Sequence, residues 1–348
     1  MQTRKVKISV SFLFVSYLLV SAGTAIAEDF YAGKTIRFIV GFAAGGGYDA
    51  YTRTVARYIS RHIPGQPTTV VENMDGAGSV IAANYIYNRA EKNGLTVGIW
   101  NAHNVFNHMM GDRSLRIDAR KFDWIGSPSK DSVACAIMGF TGLKAFDEIL
   151  KSKKAVRMGA TRAGNTTQLP EMLNRWAGAN LEVVPGYSGT SKIRLAMRSR
   201  EVDGACWTWD SMRSTARSML DANGDDKMIP FIINGKWEDP EVKDLTQFHE
   251  VIKDKENLTA FDTWNAANEF ARPFSLPPGS PAQALQILRK AFKATMEDKD
   301  YKADLAKSKL TADYIPGEKV EQYVEEIYSA SPEVKRRLEF LFRKRPTS

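Results

Sequence analysis

Residues 35–59, TIRFIVGFAAGGGYDAYTRTVARYI, carry the reading on which the fold turns. Ile36, Phe38 and Val40 alternate with Arg37 and Ile39, and the β-branched and aromatic content suits a strand. Gly45, Gly46 and Gly47 then permit positive φ and a close approach of backbone to a bound group. Tyr51, Val55, Tyr58 and Ile59 follow at helical spacing, with Arg53, Arg57 and Arg61 on the other faces. A glycine turn feeding a helix leaves unpaired N–H groups aimed outward, with the positive end of the helix dipole behind them. Such a place holds an anion without any cationic side chain, and it is equally a plain strand-to-helix connection.

The same unit recurs downstream. Residues 68–72 (TTVVE) read as a strand, 73–79 as a second glycine turn and 80–89 as a helix. Residues 95–100 (LTVGIW) read as a third strand, ending at Asn101-Ala102-His103. This alternation predicts an α/β fold with a mostly parallel sheet flanked by helices. Ligands in such sheets sit outside the carboxyl ends of the strands, so turns 43–49, 75–79 and 101–103 are expected at one rim.

Residues 122–138 read as a loop and a strand crossing into a second lobe, where the alternation resumes. A strand at 156–160, a polar glycine loop at 161–167 and a helix at 169–177 come first. A strand at 181–184, a glycine loop at 186–190 and a helix at 193–200 follow. Residues 202–209 (VDGACWTW) read as a strand ending at Asp210, on which Trp207 and Trp209 share a face, one or both of them core. A strand at 228–233 closes this lobe. Residues 236–263 are charged and resist assignment; 270–276 read as a strand carrying Pro273, which argues for an edge. Helices at 282–296, 300–308 and 320–342 are expected to return over the first lobe. Two lobes result: residues 28–125 with 234–348, and residues 126–233.

The 348-residue chain is 43% hydrophobic, enough for an ordinary core, and its formal charge is +8. Arg4, Lys5 and Lys7, an apolar run over 8–20 and Ala25-Ile26-Ala27 fit an export signal cleaved after Ala27, with a freely moving periplasmic product. Three positives leave with that signal, and the remaining +5 is scattered. It suits a small anionic ligand or an acidic partner surface, not a nucleic-acid stripe. Four histidines lack any metal-binding spacing, and no metal or cofactor is expected. Cys135 and Cys206 fit a disulfide or two buried thiols equally.

Two lobes with polar glycine loops at their strand ends describe a cleft. The first offers Ala43, Ala44, Gly45, Gly46, Gly47, Asp49, Ser79, Asn101 and His103. The second offers Thr161, Arg162, Gly164, Asn165, Thr166, Tyr187, Ser188, Gly189, Thr190, Trp209 and Asp210. Main-chain amides and hydroxyls suit carboxylate oxygens, Arg162 can pair bidentately, and the aromatic rings can stack on a ligand. Asp49 and Asp210 accept from a ligand or hold their loops. Gly45-x-Gly47-x-x-Ala50, with Glu72 at the end of the next strand, also satisfies a relaxed dinucleotide fingerprint. An exported chain makes a nicotinamide-dependent oxidoreductase the weaker alternative, and no G-x-S-x-G elbow supports a hydrolase.

Four blocks then resemble one family in order. FYAGKTIRFIVGFAAGGGYDAYTR, VVENMDGAGSVIAANYI, VPGYSGTSKIRLAMRSREVDG and FSLPPGSPAQALQILRKAF are similar to the Bug-type substrate-binding proteins of tripartite tricarboxylate transporters. The resemblance implies a two-lobed periplasmic-binding-protein-like fold that closes on a small carboxylate and hands it to membrane transporter subunits, without catalysis. It implies carboxylate contacts from amides around Ala44–Gly47 and from the hydroxyls at 161–167 and 188–190. Where the family has smaller residues this chain has CWTWD, and Asn101-Ala102-His103-Asn104 replaces a Ser/Thr-rich loop. Both departures imply a bulkier or aromatic acid beside the usual di- and tricarboxylates. A ligand-sensing partner of a membrane receptor kinase is the other role such a cleft supports.

Overall fold

The computed structural model describes residues 30–235 and 239–342. The export signal and the first three residues of the charged 236–263 stretch lie outside them. Strand β1 (Thr35–Val40) forms as its alternation predicts, with Ile36 and Phe38 buried. Helix α1 (Gly47–Ile59) follows the glycine turn and buries Tyr51, Val55, Ala56 and Ile59 on that sheet. β2 (Thr68–Asn73) and β3 (Thr96–Ile99) flank β1, both parallel to it. Helices α2 (Val80–Asn88) and α3 (His103–Met109) make the connections.

The first sheet runs β12-β4-β11-β3-β1-β2. It is completed by β4 (Asp123–Ser127), β11 (Phe274–Leu276) and β12 (Ile315–Pro316). The second sheet runs β10-β9-β5-β8-β6-β7. Its strands are β5 (Val133–Met138), β6 (Val156–Ala160), β7 (Leu181–Pro185), β8 (Gly204–Thr208), β9 (Met228–Asn234) and β10 (Thr246–Gln247). Both sheets are mixed, because β11 and β12 oppose the other strands of the first and β5 opposes the other strands of the second. Most strands in each still point one way, so the loops at their carboxyl ends collect on one edge of each lobe.

In the second lobe, α4 (Phe146–Lys151), α5 (Asn165–Ala177) and α6 (Thr190–Arg198) precede α7 (Trp209–Thr215) and α8 (Arg217–Leu220). The charged stretch that resists reading from sequence holds β10, α9 (Phe248–Val251) and α10 (Lys255–Asn265). The return consists of α11 (Ala282–Glu297), α12 (Lys299–Lys307), α13 (Gly317–Tyr328) and α14 (Pro332–Leu338). On α11 the buried stripe Ala284, Ile287, Leu288, Ala291, Phe292 and Thr295 has the i, i+3, i+4 spacing that seats a helix on a sheet.

Five expectations need correction. Residues 122–138 hold two strands in different sheets, so the crossing lies at 128–132 and not before 126. β10 pairs with β9, which keeps the chain in the second sheet well past residue 234. Pro273 does not mark an edge: it precedes β11, whose own amides are intact, and β11 sits between β3 and β4. The helix expected at 320–342 breaks, because Ser331 caps a new helix that Pro332 opens. β8 ends at Thr208, so Trp209 and Asp210 start a helix and Trp209 leaves the face of Trp207. The open question at Cys135 and Cys206 resolves as a disulfide between directly paired residues of β5 and β8, Cα atoms 3.9 Å apart.

Candidate ligand-binding site

The edges of the two lobes face each other across a small, partly open cavity of about 70 Å³. The first lobe contributes Phe42, Gly46, Gly47, Tyr48, Asn101 and His103. The second contributes Thr161, Ala163, Asn165, Thr166, Thr190, Trp207, Thr208 and Ser211. Asn268, Ala271 and Arg272 enter on the returning chain.

One pole is the start of α1. Gly46 caps it in extended conformation, and no side chain takes up the first amides. Donors from elsewhere crowd this spot. A carbon added to Gly46 would lie 3.2 Å from Thr190 Oγ1, and one added to Gly47 would lie 2.5 Å from Ser211 Oγ and 3.5 Å from Arg272 Nη2. Thr190 Oγ1, Ser211 Oγ and Trp207 Nε1 are buried without a partner among the described residues. Leaving a buried polar group unmade costs about 1–3 kcal/mol, so this pole is arranged for an acceptor that arrives from outside.

Arg272 is the charged member of the lining and is 1% exposed. Its Nη1 donates to Ser129 Oγ at 2.7 Å and its Nη2 to Thr208 Oγ1 at 2.9 Å. Asp131 forms an ion pair with it, and the Tyr51 ring lies 4.2 Å beneath the guanidinium. Burial pulls the Arg272 pKa down, and the Asp131 charge more than offsets this, so the group stays firmly cationic.

The other pole is neutral. Thr161 and Thr166 share a hydroxyl contact of 2.9 Å, and Asn165 Nδ2 donates to Asn268 Oδ1 at 3.1 Å. Asn101 Oδ1 accepts from the His103 amide at 3.1 Å. Asn165 Oδ1 and His103 Nε2 are buried and unpartnered. The His103 ring packs 4.5 Å from Trp264, and burial pushes its pKa down to about 3.

Eight of the residues singled out from sequence therefore line the cavity: Gly46, Gly47, Asn101, His103, Thr161, Asn165, Thr166 and Thr190. The others stand outside the lining, most with their polar groups engaged. The Ala43 amide donates to the Ser188 carbonyl across the lobes at 3.3 Å, and Gly189 packs on Ala43. Ala44 lines an outer groove. The Gly45 amide donates to Asp49 at 2.9 Å, and Asp49 also accepts from Arg53 and Asn73. Burial would raise the Asp49 pKa, and these bonds hold it below the usual carboxylate value. Ser79 Oγ accepts from the Asn101 amide. Gly164 opens α5 at φ +85°, where a side chain would strike the Asn101 amide group. Arg162 donates to Ser114 Oγ at 2.8 Å and pairs with Asp112, both in the first lobe. Tyr187 bonds Glu201, and Trp209 Nε1 donates to Asp239 at 2.8 Å. Asp210 accepts from Tyr51, Thr311 and Arg213. The acid of the dinucleotide reading is occupied too: Glu72 accepts from Arg37 Nε at 2.8 Å and Nη2 at 2.7 Å.

Sequence reasoning missed Arg272 and Ser211. A lone arginine inside the apolar run of residues 270–276 was a usable signal. Ser211 was hidden by extending β8 one residue too far.

No protein-family model matches the sequence, and no curated protein does. Solved structures do match. The periplasmic binding protein BugD superposes with a TM-score of 0.70 at 20% identity, over 89% of this chain and 97% of its own. This chain has the same two-lobed α/β fold. MatC from Rhodopseudomonas palustris, with bound malate, gives 0.67 at 19% identity over 88% of this chain and 99% of its own. An R. palustris protein with adipate gives 0.68 at 15% identity over 88% and 97%. Within this two-lobed fold the cavity occupies the gap between the lobes. Among the described residues no cluster of metal-binding side chains is present, and no helix is long and apolar enough to cross a membrane.

Proposed function

We propose that the protein is the periplasmic solute-binding component of a tripartite tricarboxylate-type transporter. It captures a small carboxylate, of the di-, tricarboxylate or aromatic class, between its lobes and presents it to membrane subunits without chemical change. The observation that carries this is the pole at Gly46 and Gly47. Free amides at a helix start meet unpartnered Thr190 and Ser211 hydroxyls from the opposite lobe, with the Arg272 guanidinium beside them. Helix starts stabilise anions, and charge-assisted hydrogen bonds contribute about 1.5–3 kcal/mol each. A few of them match the roughly 8 kcal/mol of micromolar capture. The malate and adipate in the similar structures support the same ligand chemistry.

Native mass spectrometry of the purified mature protein, followed by calorimetry against a broad organic-acid panel, tests the reading. It expects at least one carboxylate bound at micromolar level. Silence across the panel would remove it.

A further inference from the structure

The two poles of the cavity differ in charge, and the difference narrows the ligand. At the α1 pole one guanidinium lines the wall, but Asp131 pairs with it, and two of its nitrogens donate to Ser129 and Thr208. The net charge brought by side chains is therefore close to zero, leaving the helix start and neutral donors to meet one carboxylate. The rest of the polar lining is asparagine amides, threonine hydroxyls and the His103 imidazole, which burial keeps neutral, and among the described residues it holds no cation. A second carboxylate there would be an uncompensated charge in an enclosed, poorly hydrated space, which is strongly unfavourable.

The unmet groups at that pole ask for something else. Asn165 Oδ1 is a buried acceptor without a donor, its own Nδ2 being fixed on Asn268. His103 Nε2 is likewise buried and without a partner among the described residues, in the same lining. A ligand hydroxyl satisfies both by donating its hydrogen to Asn165 Oδ1 and accepting from His103 Nε2–H. Between the poles the walls are Phe42, Tyr48, Ala163, Trp207 and Ala271, aromatic and aliphatic faces that suit a flat apolar body.

We propose that the cavity selects a singly charged carboxylic acid with an aromatic or apolar body and a neutral hydrogen-bond donor at its far end, over di- and tricarboxylates. This rests on the carboxylate reading of the same site and names the member of that class. The carboxylate sits at Gly46–Gly47 with Thr190 and Ser211. The distal donor sits at Asn165 and His103.

The test is calorimetry on the full mature protein, refolded from denaturant to strip any co-purified acid. The titrants are para-hydroxybenzoate, para-hydroxyphenylacetate, benzoate, phenylacetate, succinate and citrate. A hydroxylated monoacid is expected to bind at least tenfold tighter than its unhydroxylated counterpart, and succinate and citrate at least a hundredfold more weakly than that. The Asn165→Leu variant is expected to erase the hydroxyl preference, read as the ratio of hydroxylated to unhydroxylated affinity within that variant, since one lost hydrogen bond is worth roughly tenfold. Succinate or citrate binding tighter than every monoacid overturns the inference and leaves the carboxylate reading standing. No binding by any titrant overturns both. An unchanged hydroxyl preference in Asn165→Leu overturns the assignment of the distal pole.

Discussion

Arg272 carries the full positive charge that lines the cavity, and Asp131 answers it within a wholly buried pair. Removing one partner of such a pair strands the other, at a cost of about 3–5 kcal/mol. Arg272→Leu is therefore expected to lower the unfolding free energy measured by urea titration by that amount, and Arg272→Met with Asp131→Leu to regain most of it. Ligand affinity is expected to fall in the single variant, where Asp131 is left unanswered beside the anion pole, and to recover largely in the double one, where the net charge returns to zero. His103 makes a separate prediction. Its folded pKa is pushed down to about 3 from the ordinary 6.5 by burial. The unfolded chain then binds the proton first as pH falls, so the neutral ring favours folding above 6.5 and this advantage is lost on descent. Wild type is expected to lose about 1.4 kcal/mol per pH unit more than His103→Phe across that window, by denaturant midpoints at matched pH.

Helix α1 shows why glycine stands where it does. A Cβ at Gly47 would lie 2.6 Å from Ser211 Cβ, which belongs to the other lobe. That is closer than side-chain carbons approach, so Gly47→Ala both fills the anion pole and wedges the lobes. At least a tenfold loss of ligand affinity is expected, with the unfolding free energy from urea titration changed by less than about 1 kcal/mol, since alanine in a helix is itself favourable. Gly41 contrasts with it. A Cβ there would fall 1.9 Å from Ser79 Oγ inside the same lobe, so Gly41→Ala disturbs folding of that lobe rather than its closure.

At the scale of the molecule the lobes share buried contacts, such as Asp210 with Tyr51 and Thr311, and are also joined by polar links. Arg162 reaches Asp112 and Ser114, Arg194 Nη2 donates to the Gly45 carbonyl at 2.9 Å, and Gln168 Nε2 donates to Asn107 Oδ1 at 2.8 Å. Burial, with Arg198 nearby, brings the Arg194 pKa down to about 10, which still leaves it charged at neutral pH. Exposed pairs are worth about 0–1 kcal/mol, so the Arg162 and Arg194 links are each weak. Arg162→Ala with Arg194→Ala is expected to raise the ligand-free radius of gyration in X-ray scattering. Ligand affinity should fall about two- to tenfold, without loss of folding.

The strand–glycine–helix units of both lobes, the rim they share, and eight of the cavity residues were legible in the sequence, because each rests on local periodicity and turn chemistry. Sequence also suggested the use of Asp49 as a loop clasp, since a carboxylate four residues after Gly45 is within reach of its amide. What local chemistry does not determine is which side chains from distant segments meet. Arg272, Asp131, Trp207 and Ser211 are brought together only by strand order across two sheets, and Arg162 turns outward because Asp112 waits on the other lobe. The crossing points moved for the same reason: β4 and β10 join whichever sheet edge has open hydrogen bonds, a choice made by tertiary pairing and not by their own residues.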